Sequence, residues 1–508
     1  MKRLTITAAT MLAFLPGLAT AQSTLRVASQ SDITSINPGV DRSGFTDEVH
    51  MNIVEGLVGY RNDLSVGPVL ASSIEISDDG MIYTFPLREG ITFHDGTPMD
   101  AASVVSSWDR LMLPETDWRC RDRFSGEDGI EVTAVEAVDD MTVRYTISAP
   151  SPLFLKDLAR FDCGSTPVMA ASSLTDEGTF DRPVGTGPFT FVEWLPGQRV
   201  VLAKFDGYVP SEGAVNGYTG DKTPMVDEVR ITIVPDTASA KAAMRAGEVD
   251  LLDIATADVP EMRDAGFEVL VEQTPAWGAF LISRHDETMQ SQALRQAMAK
   301  ALDVDQLATL MGYESANATP IPPISSFYTE AQQATYGYDV ERAKALLKEA
   351  GYDGAPITLI TSRRSATMYD QAVVAQAMWQ QAGLNVEIEV LEWGTQLDRY
   401  QEGNYQIMSF GFSSRLDPAL SWDMFSGEQQ RKVWADPNAL ERIDALMSET
   451  DDAARAAISD ELMELFLEQV PAIGLYSQPA AVAQSDRVAG FSLWPGGTMR
   501  FWNTSLTE

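Results

Sequence analysis

Residues 357–422 read ITLITSRRSATMYDQAVVAQAMWQQAGLNVEIEVLEWGTQLDRYQEGNYQIMSFGFSSRLDPALSW. Three apolar or alternating runs, at 357–361, 385–392 and 405–412, are separated by two segments with helical spacing. This pattern predicts a β-α-β-α-β unit, in which short links impose parallel strands and right-handed crossovers. The fold class expected for the chain is therefore α/β.

The residues that follow these three strands share one rim of the predicted sheet. In open sheets of this kind, ligands bind outside the carboxyl ends of the strands. The positions concerned carry positive and aromatic side chains, namely Arg363, Arg364, Trp393, Phe412 and Arg415. The sequence therefore predicts a ligand-binding face, and we interpret the chain as a solute-binding protein.

The first 21 residues have the pattern of a secretory signal peptide. Lys2 and Arg3 precede an apolar run from Leu4 to Leu18, and an A-x-A sequence ends at Ala21. We expect cleavage after Ala21 and export of the mature chain. No later run of about 18 uncharged apolar residues occurs, so direct membrane insertion is not expected.

Composition excludes several kinds of partner. The chain has 508 residues and a formal net charge of −36, with its acids dispersed along the sequence. A chain this acidic binds nucleic acid and anionic membranes poorly. Its length exceeds one hydrophobic core, so two or three domains are expected.

The two cysteines, Cys120 and Cys163, both lie in the predicted mature chain. Two free buried thiols are one possibility. In an oxidising compartment, however, an isolated pair more simply forms one disulfide, and we predict that bridge.

Candidate catalytic residues are few. The three histidines are far apart, and the chain contains no H-E-x-x-H, C-x-x-C, G-x-S-x-G or P-loop sequence. Adjacent carboxylates, as at Asp139 and Asp140, are explained by turn chemistry. We expect no catalytic residues, no metal site and no cofactor. An exported hydrolase remains a less favoured alternative.

Outside the β-α-β-α-β unit, the sequence predicts one helix with a recognisable cap and one long helix. Asp100 is expected to cap a helix that runs through Leu111. Residues 292–311 carry apolar side chains at helical spacing and are predicted to form one helix.

Several motifs in register resemble one family. Residues 83–98 read YTFPLREGITFHDGTP, which is similar to the signature of the peptide/nickel/opine extracellular solute-binding proteins of ABC importers, the bacterial solute-binding protein family 5. VGTGPF at 184–189, GEVD at 247–250 and LRQA at 294–297 support the resemblance, which extends over nearly the whole mature chain.

The resemblance implies a two-lobe hinged periplasmic-binding-protein fold, in its type II-like, three-domain variant. Ligand is enclosed between lobes that close by hinge motion. Lobe I is expected to combine residues 22–63, 183–276 and 479–508. An inserted domain is expected at 64–182 and lobe II at 277–478.

The resemblance also assigns binding roles. Trp393 matches the family's pocket tryptophan, and Phe412 falls where peptide-binding members carry another aromatic residue. Arg415 replaces the acid that holds a peptide's ammonium group, so the expected ligand charge is reversed, because a guanidinium prefers a carboxylate or phosphate. A surface arginine on a loop is the alternative interpretation of Arg415.

Further residues are also assigned expected roles. Arg363 or Arg364 matches the position that grips a ligand carboxylate, and Ser43 and Gly44 match backbone contacts to extended ligands. Asp417 is predicted either to pair with Arg415 or to substitute for the missing acid. A basic group around Cys120, formed by Arg119, Arg121 and Arg123, is interpreted as solvated surface in preference to a second patch in the cleft.

The expected function is a non-enzymatic, monomeric periplasmic protein that delivers solute to ABC permease subunits. The expected solute is anionic or carboxylate-rich, such as a short peptide or opine-like compound. The alternative cargo is a metal chelate of the nickel type, since those relatives also lack the acid and use arginines to hold a chelator's carboxylates.

Overall fold

The computed structural model describes residues 23–41, 43–127, 129–313, 315–363 and 366–507. The predicted signal peptide with its cleavage site after Ala21, and Arg364, lie outside these residues. In chain order the strands are β1 (Thr24–Ser29), β2 (Val58–Tyr60), β3 (Val66–Pro68), β4 (Glu75–Ile76), β5 (Ile82–Pro86), β6 (Val132–Asp139), β7 (Thr142–Ile147), β8 (Phe189–Leu195), β9 (Arg199–Lys204), β10 (Glu228–Ile233), β11 (Leu251–Ile254), β12 (Glu268–Ile282), β13 (Ile357–Ser362), β14 (Val386–Leu391), β15 (Ile407–Phe412), β16 (Ala472–Gln484), β17 (Val488–Ala489) and β18 (Ser505–Leu506).

The α-helices of the same residues follow the helical spacing of the sequence. They are α1 (Gly44–His50), α2 (Ala101–Met112), α3 (Phe154–Leu158), α4 (Thr237–Arg245), α5 (Val259–Asp264), α6 (Gln292–Lys300), α7 (Val304–Leu310), α8 (Val340–Glu349), α9 (Ala366–Ala382), α10 (Trp393–Glu402), α11 (Pro418–Asp423), α12 (Pro437–Ser448) and α13 (Asp452–Gln469).

A ten-stranded mixed sheet runs through the molecule in the order β14-β13-β15-β12-β16-β11-β1-β10-β9-β8. The predicted β-α-β-α-β unit forms one end of it. Strand β13 pairs in parallel with β14 on one side and with β15 on the other. The α/β class and the parallel arrangement of this unit are confirmed.

Two long strands, β12 and β16, lie at the middle of this sheet and pair antiparallel with each other. Their pairing is interrupted between Gln273 and Trp277. On one side of the interruption β16 also pairs with β11, and on the other β12 pairs with β15. The two halves of the molecule are thus joined by two strands that each run from one half into the other.

A separate four-stranded sheet has the order β4-β5-β7-β6 and is antiparallel throughout. Helix α2 begins after Asp100, whose side chain accepts a hydrogen bond from the Ser103 N–H at 2.8 Å, as the sequence predicts. Cys120 and Cys163 form a disulfide with Cα atoms 5.8 Å apart, which confirms the predicted bridge.

The buried apolar residues form two main clusters. One lies entirely within residues 277–476, under and around strands β12 to β15. The other combines residues 25–251 with 482–502, so the four-stranded sheet shares its core with the lobe that contains β1. Leu416 belongs to this second cluster although its chain neighbours pack in the first. The loop around Leu416 therefore bridges the two halves.

The predicted helix over residues 292–311 is instead two helices, α6 and α7. Asp303 lies between them, and its carboxylate accepts a hydrogen bond from the Gln306 N–H at 2.9 Å. An aspartate that caps a new helix offers the backbone an alternative to continuing the old one. The prediction of one helix was wrong for this reason.

Candidate functional site

A cavity of about 900 Å³ lies between the two halves of the molecule. One wall comes from four separate stretches, at residues 28–48, 119–123, 160–162 and 496–499, together with Tyr60 and Asp253. The opposite wall is formed by residues 413–423, which follow the carboxyl end of β15. The cavity therefore lies at the carboxyl end of β15, and the ends of sheet strands are where open sheets bind ligands.

Arg415 supplies a positive charge to the second wall. Its Nη1 donates hydrogen bonds to the Ser413 carbonyl at 3.1 Å and the Ser413 hydroxyl at 3.0 Å. It forms no salt bridge with another described residue. Burial lowers the pKa of Arg415, and the neighbouring Arg160 lowers it further. An arginine side chain stays protonated under such conditions, so its charge is available to a ligand.

The arginines of the first wall are compensated by acids. Arg119 contacts Asp47 at 3.3 Å and Asp162 at 3.2 Å, and Arg160 contacts Asp162 at 2.7 Å. Arg123 contacts Asp157 at 3.2 Å. These ion pairs hold the arginine side chains of the first wall in place, and the acids neutralise most of the positive charge there.

Part of the basic group around Cys120 lines the cavity, whereas the sequence predicts solvated surface there. Arg119, Cys120 and Arg123 line the cavity, and Arg121 pairs with Asp122 at 3.2 Å. The disulfide holds Cys120 close to residues 160–163, so the two arginines turn toward the cavity with their acidic partners. A sequence pattern alone does not reveal that placement.

Ser43 and Gly44 begin helix α1. The Ser43 hydroxyl accepts a hydrogen bond from the Thr46 N–H at 3.4 Å, which makes Ser43 a helix cap. Gly44 lines the cavity, and a Cβ added there would meet no atom within 4 Å. The structure thus brings Gly44 and Arg415 to the same cavity from opposite halves.

The other predicted binding residues lie elsewhere in the described molecule. Trp393 is the first residue of α10, and its ring stacks on Phe410 with centroids 6.0 Å apart. Phe412 is 7% exposed and stacks on Trp277 at 6.2 Å. The Arg363 guanidinium lies 3.7 Å from the centroid of the Tyr369 ring. None of these three is among the cavity-lining residues, and their ligand contacts stay predictions, as does that of Arg364.

The aromatic side chains that do line the cavity are Phe45, Tyr60 and Phe161. Sequence reasoning did not single them out, because each lies in a segment without a strand-end pattern. Tyr60 ends a three-residue strand, and Phe161 begins a short turn beside Cys163. Only the tertiary fold brings these segments opposite Arg415.

Asp417 takes neither of its two predicted roles toward Arg415. Its Oδ1 accepts a hydrogen bond from Arg455 at 2.7 Å, and its Oδ2 pairs with Lys156 of helix α3. The Asp417 side chain is fully buried. Asp417 is therefore an ion-pair centre between the two halves, and it does not compensate the charge of Arg415.

Two acids of the first wall lack a basic partner among the described residues. Glu48 is 7% exposed, and its Oε2 accepts a hydrogen bond from the Met499 N–H at 2.8 Å. Asp253, on strand β11, forms no salt bridge with a described residue, and partial desolvation by the surrounding cavity walls raises its pKa to about 6. An acid in an otherwise apolar strand is the one sequence signal that points to Asp253.

Glu48 makes the stability of the fold depend on pH. Burial raises the pKa of Glu48 to about 8, and the charge of Asp253 acts in the same direction. The folded state then holds this proton more tightly than the unfolded state, in which the pKa is about 4.3. The stabilising contribution is complete below that value and is lost as the pH rises toward 8.

We therefore expect Glu48→Gln to stabilise the protein relative to wild type more at pH 8 than at pH 5. The gain should increase by at least about 1 kcal/mol between these pH values, measured by urea denaturation. Glu330→Gln, the same change at an exposed site, should show no such increase. Equal gains from Glu48→Gln at both pH values would contradict this explanation.

The comparisons with known proteins decide the family. Residues 65–432 match the model of the middle part of the bacterial extracellular solute-binding proteins, family 5. Heme-binding protein A of Haemophilus influenzae is 30% identical over 508 residues, covering 92% of this chain and 88% of that protein. The chain belongs to family 5 of the bacterial extracellular solute-binding proteins. Family 5 proteins are the substrate-binding components of ABC importers.

Other family 5 relatives differ in the solute that they name. The glutathione-binding protein GsiB of Pectobacterium atrosepticum is 25% identical over 504 residues, covering 95% of this chain and 94% of that protein. The structure of the PBP AgaA from A. tumefaciens R10, in complex with agropinic acid, has a TM-score of 0.72 and 25% identity. The aligned region covers 96% of this chain and 99% of the AgaA chain. The two-lobe α/β fold is thereby confirmed for this family 5 chain.

Two further observations concern membrane-spanning helices and metal-binding groups. No described helix has both the length and the apolar character needed to cross a bilayer. The described residues include no group of three or more histidine, cysteine or acidic side chains placed to hold a metal ion.

Proposed function

We propose that this protein binds a small solute with a carboxylate or similar anionic group in the cavity between its halves. A short peptide or an opine-like conjugate is the expected class, delivered to the permease of an ABC importer. The observation that carries the proposal is Arg415, a partly buried guanidinium on the cavity wall that forms no salt bridge with another described residue.

The chemistry of Arg415 favours such a solute. Its Nη1 is engaged by the loop, whereas Nε and Nη2 have no hydrogen-bond partner of their own in the described residues. A guanidinium presents its donors in a planar fork that matches a carboxylate. Because Arg415 is partly buried, such a charge-assisted pair contributes more there than at a fully exposed surface.

The ligands named in two relatives agree with this class. Glutathione and agropinic acid both carry carboxylate groups. Each of those proteins shares 25% of its aligned residues with this chain, so the comparison supports a class of solute and does not identify the solute.

Capture proceeds by closure of two lobes. Residues 22–63, 183–276 and 479–508 form lobe I, with an inserted domain at 64–182, and residues 277–478 form lobe II. The solute first contacts the wall around Gly44 and Phe161, and closure brings the loop with Arg415 against it. The interruption of strand pairing between Gln273 and Trp277 provides the hinge.

The mature protein, cleaved after Ala21, acts in the periplasm as a monomer without catalytic activity or cofactor. In its closed form it docks on the permease subunits of the importer. Affinity arises from the Arg415 contact and from the apolar surface of the cavity.

The charge reversal Arg415→Asp should abolish most of the affinity. Protein purified without denaturation is expected to release a carboxylate-bearing solute, identified by mass spectrometry. Isothermal titration of that solute into the Arg415→Asp variant should show an affinity at least about thirtyfold weaker than wild type. The reason is that the variant places a like charge opposite the ligand's anionic group.

Arg342→Asp provides the matched control, because Arg342 is an exposed residue of helix α8 that pairs with Glu349. It should bind the solute like wild type. Unchanged affinity in Arg415→Asp, or release of a solute without any anionic group, would reject the proposed ligand class.

A further inference from the structure

Lys156 and Asp417 form an ion pair that joins the two halves of the molecule outside the cavity. Lys156 lies on helix α3 between Phe154 and Leu158, which pack in the core of the half that contains β1. Asp417 belongs to the other half and caps helix α11, where its Oδ1 accepts a hydrogen bond from the Ala419 N–H at 2.8 Å. Neither Lys156 nor Asp417 is among the described residues that line the cavity. A solute in the cavity therefore leaves this pair intact.

The pair is well shielded from water. The Asp417 side chain is fully buried, and that of Lys156 is 16% exposed. Arg455, also buried, contacts the Oδ1 of Asp417 at 2.7 Å. The centroid of the Phe327 ring lies 5.5 Å from the Lys156 ammonium and 5.2 Å from the Arg455 guanidinium. Removing one partner of such a desolvated pair across an interface mainly speeds separation of the two sides.

Two apolar side chains accompany the ion pair. Leu416 is 9% exposed and belongs to the core cluster of the half that contains β1, although its chain neighbours belong to the other half. Ile324, from the proline-containing loop at 318–328, is partly buried and packs against the same cluster. Burial of these side chains favours the arrangement in which the two halves are in contact.

The segment that makes these contacts also carries Arg415. Leu416 and Asp417 follow it directly, and the Arg415 Nη1 donates to the Ser413 hydroxyl at 3.0 Å. Asp417 is held by Arg455 from its own half and by Lys156 from the opposite half. The position of the Arg415 loop is thus tied to the contact between the halves.

We infer that Lys156, Asp417, Leu416 and Ile324 form a latch that holds the two halves together without help from a solute. This inference rests on the closure in the proposed function and not on the class of solute. Part of the solute-free population is then closed before a solute arrives. The latch must also break before a bound solute can leave, so it prolongs retention. Lys156 acts here as a positioning residue that does not contact the solute.

The first test measures the solute-free protein. Lys156→Met keeps an apolar stem and removes the charge, and Asp417 keeps its contact with Arg455, so the variant should fold. Small-angle X-ray scattering of intact protein, dialysed to remove solute, should give a larger radius of gyration for this variant than for wild type. Ile324→Ala, which removes an apolar contact of the latch and no charge, should shift the radius in the same direction.

The second test measures retention of a probe. Glutathione and trialanine are mixed with the dialysed protein, and association and dissociation are followed separately by surface plasmon resonance. For a probe that binds, Lys156→Met should raise the dissociation rate constant about tenfold and leave the association rate constant within about threefold of wild type. A general loss of folded structure would instead lower the amount of binding-competent protein without this selective change in dissociation.

Lys241→Met is the matched control for both measurements. Lys241 is 13% exposed and pairs with Asp258 at 2.9 Å and Glu261 at 2.7 Å, all within the half that contains β1. Its substitution removes a similarly shielded lysine without touching the contact between the halves. The radius of gyration and the dissociation rate constant should both match wild type.

Equal radii for solute-free wild type and Lys156→Met would overturn the latch, whether or not a probe binds. An unchanged dissociation rate constant for a bound probe would overturn it too, as would equal changes in Lys241→Met. None of these results bears on the solute class. Release of a solute without any anionic group from native protein would reject the proposed ligand class and leave the latch standing.

Discussion

Replacing Asp417 by asparagine is expected to lower the free energy of unfolding by about 3–5 kcal/mol. The Asp417 side chain is fully buried and is contacted by Arg455 at 2.7 Å and by Lys156. Burial alone would raise the pKa of Asp417, but the two cations hold it below its usual value. The asparagine leaves the buried Arg455 and the partly buried Lys156 without their main carboxylate partner, and an uncompensated buried charge is costly.

Urea denaturation of the variant and the wild type at neutral pH measures this loss. Glu461→Gln is the control, because Glu461 on helix α13 is 58% exposed and pairs at 2.8 Å with Arg442, whose side chain is itself 34% exposed. It should cost less than about 1 kcal/mol. A loss of that small size in Asp417→Asn would show that the cluster contributes little to the fold.

The Lys156 half of this cluster also joins the lobes. Lys156 belongs to helix α3 of the inserted segment, whereas Asp417 and Arg455 belong to the other half. Its ammonium group also lies 5.5 Å from the centroid of the Phe327 ring. The Lys156–Asp417 pair therefore links the two halves of the molecule directly.

The double substitution Cys120→Ser/Cys163→Ser removes the disulfide and is expected to lower the free energy of unfolding by about 4 kcal/mol. The bridge spans 43 residues, and in the chain-entropy description a loop of that length restricts the unfolded state substantially. Both cysteines are buried in the core that supports the first cavity wall. The indole N–H of Trp118 donates to the Cys163 carbonyl at 3.0 Å in the same core.

Thermal denaturation with and without a reducing agent measures this contribution. Reduction should lower the melting temperature of the wild type and leave that of the double variant unchanged. If reduced and oxidised wild type unfold at the same temperature, the bridge does not stabilise the fold.

The sequence predicts the β-α-β-α-β unit well because its periodicities are clean and its turns short. The Asp100 cap and the disulfide are predicted for equally local or compositional reasons. The helix over 292–311 shows the limit of such patterns. An aspartate inside an apolar period can either stay within one helix or cap a new one, and the hydrogen bond that the Asp303 carboxylate accepts from the Gln306 N–H shows that it caps a new one.

The site is predictable only in part, since it is assembled from distant segments. Arg415 follows a recognisable strand, so its position at a strand end could be predicted. Glu48, Arg160 and Asp253 are brought together by the order of strands in the sheet, which places β11 between β1 and β16. The aromatic residues illustrate the same point, because a ring that follows a strand can also turn inward, as Phe412 does against Trp277.

The passage of β12 and β16 from one half into the other has a mechanical consequence. Two domains on slack linkers could separate by any angle, but here paired strands lie on both sides of the short stretch between Gln273 and Trp277, where the pairing is interrupted. Bending is easiest at that stretch, because its residues are not held in the ladder. The proposed closure is therefore a rotation about one narrow axis, with a limited range of opening.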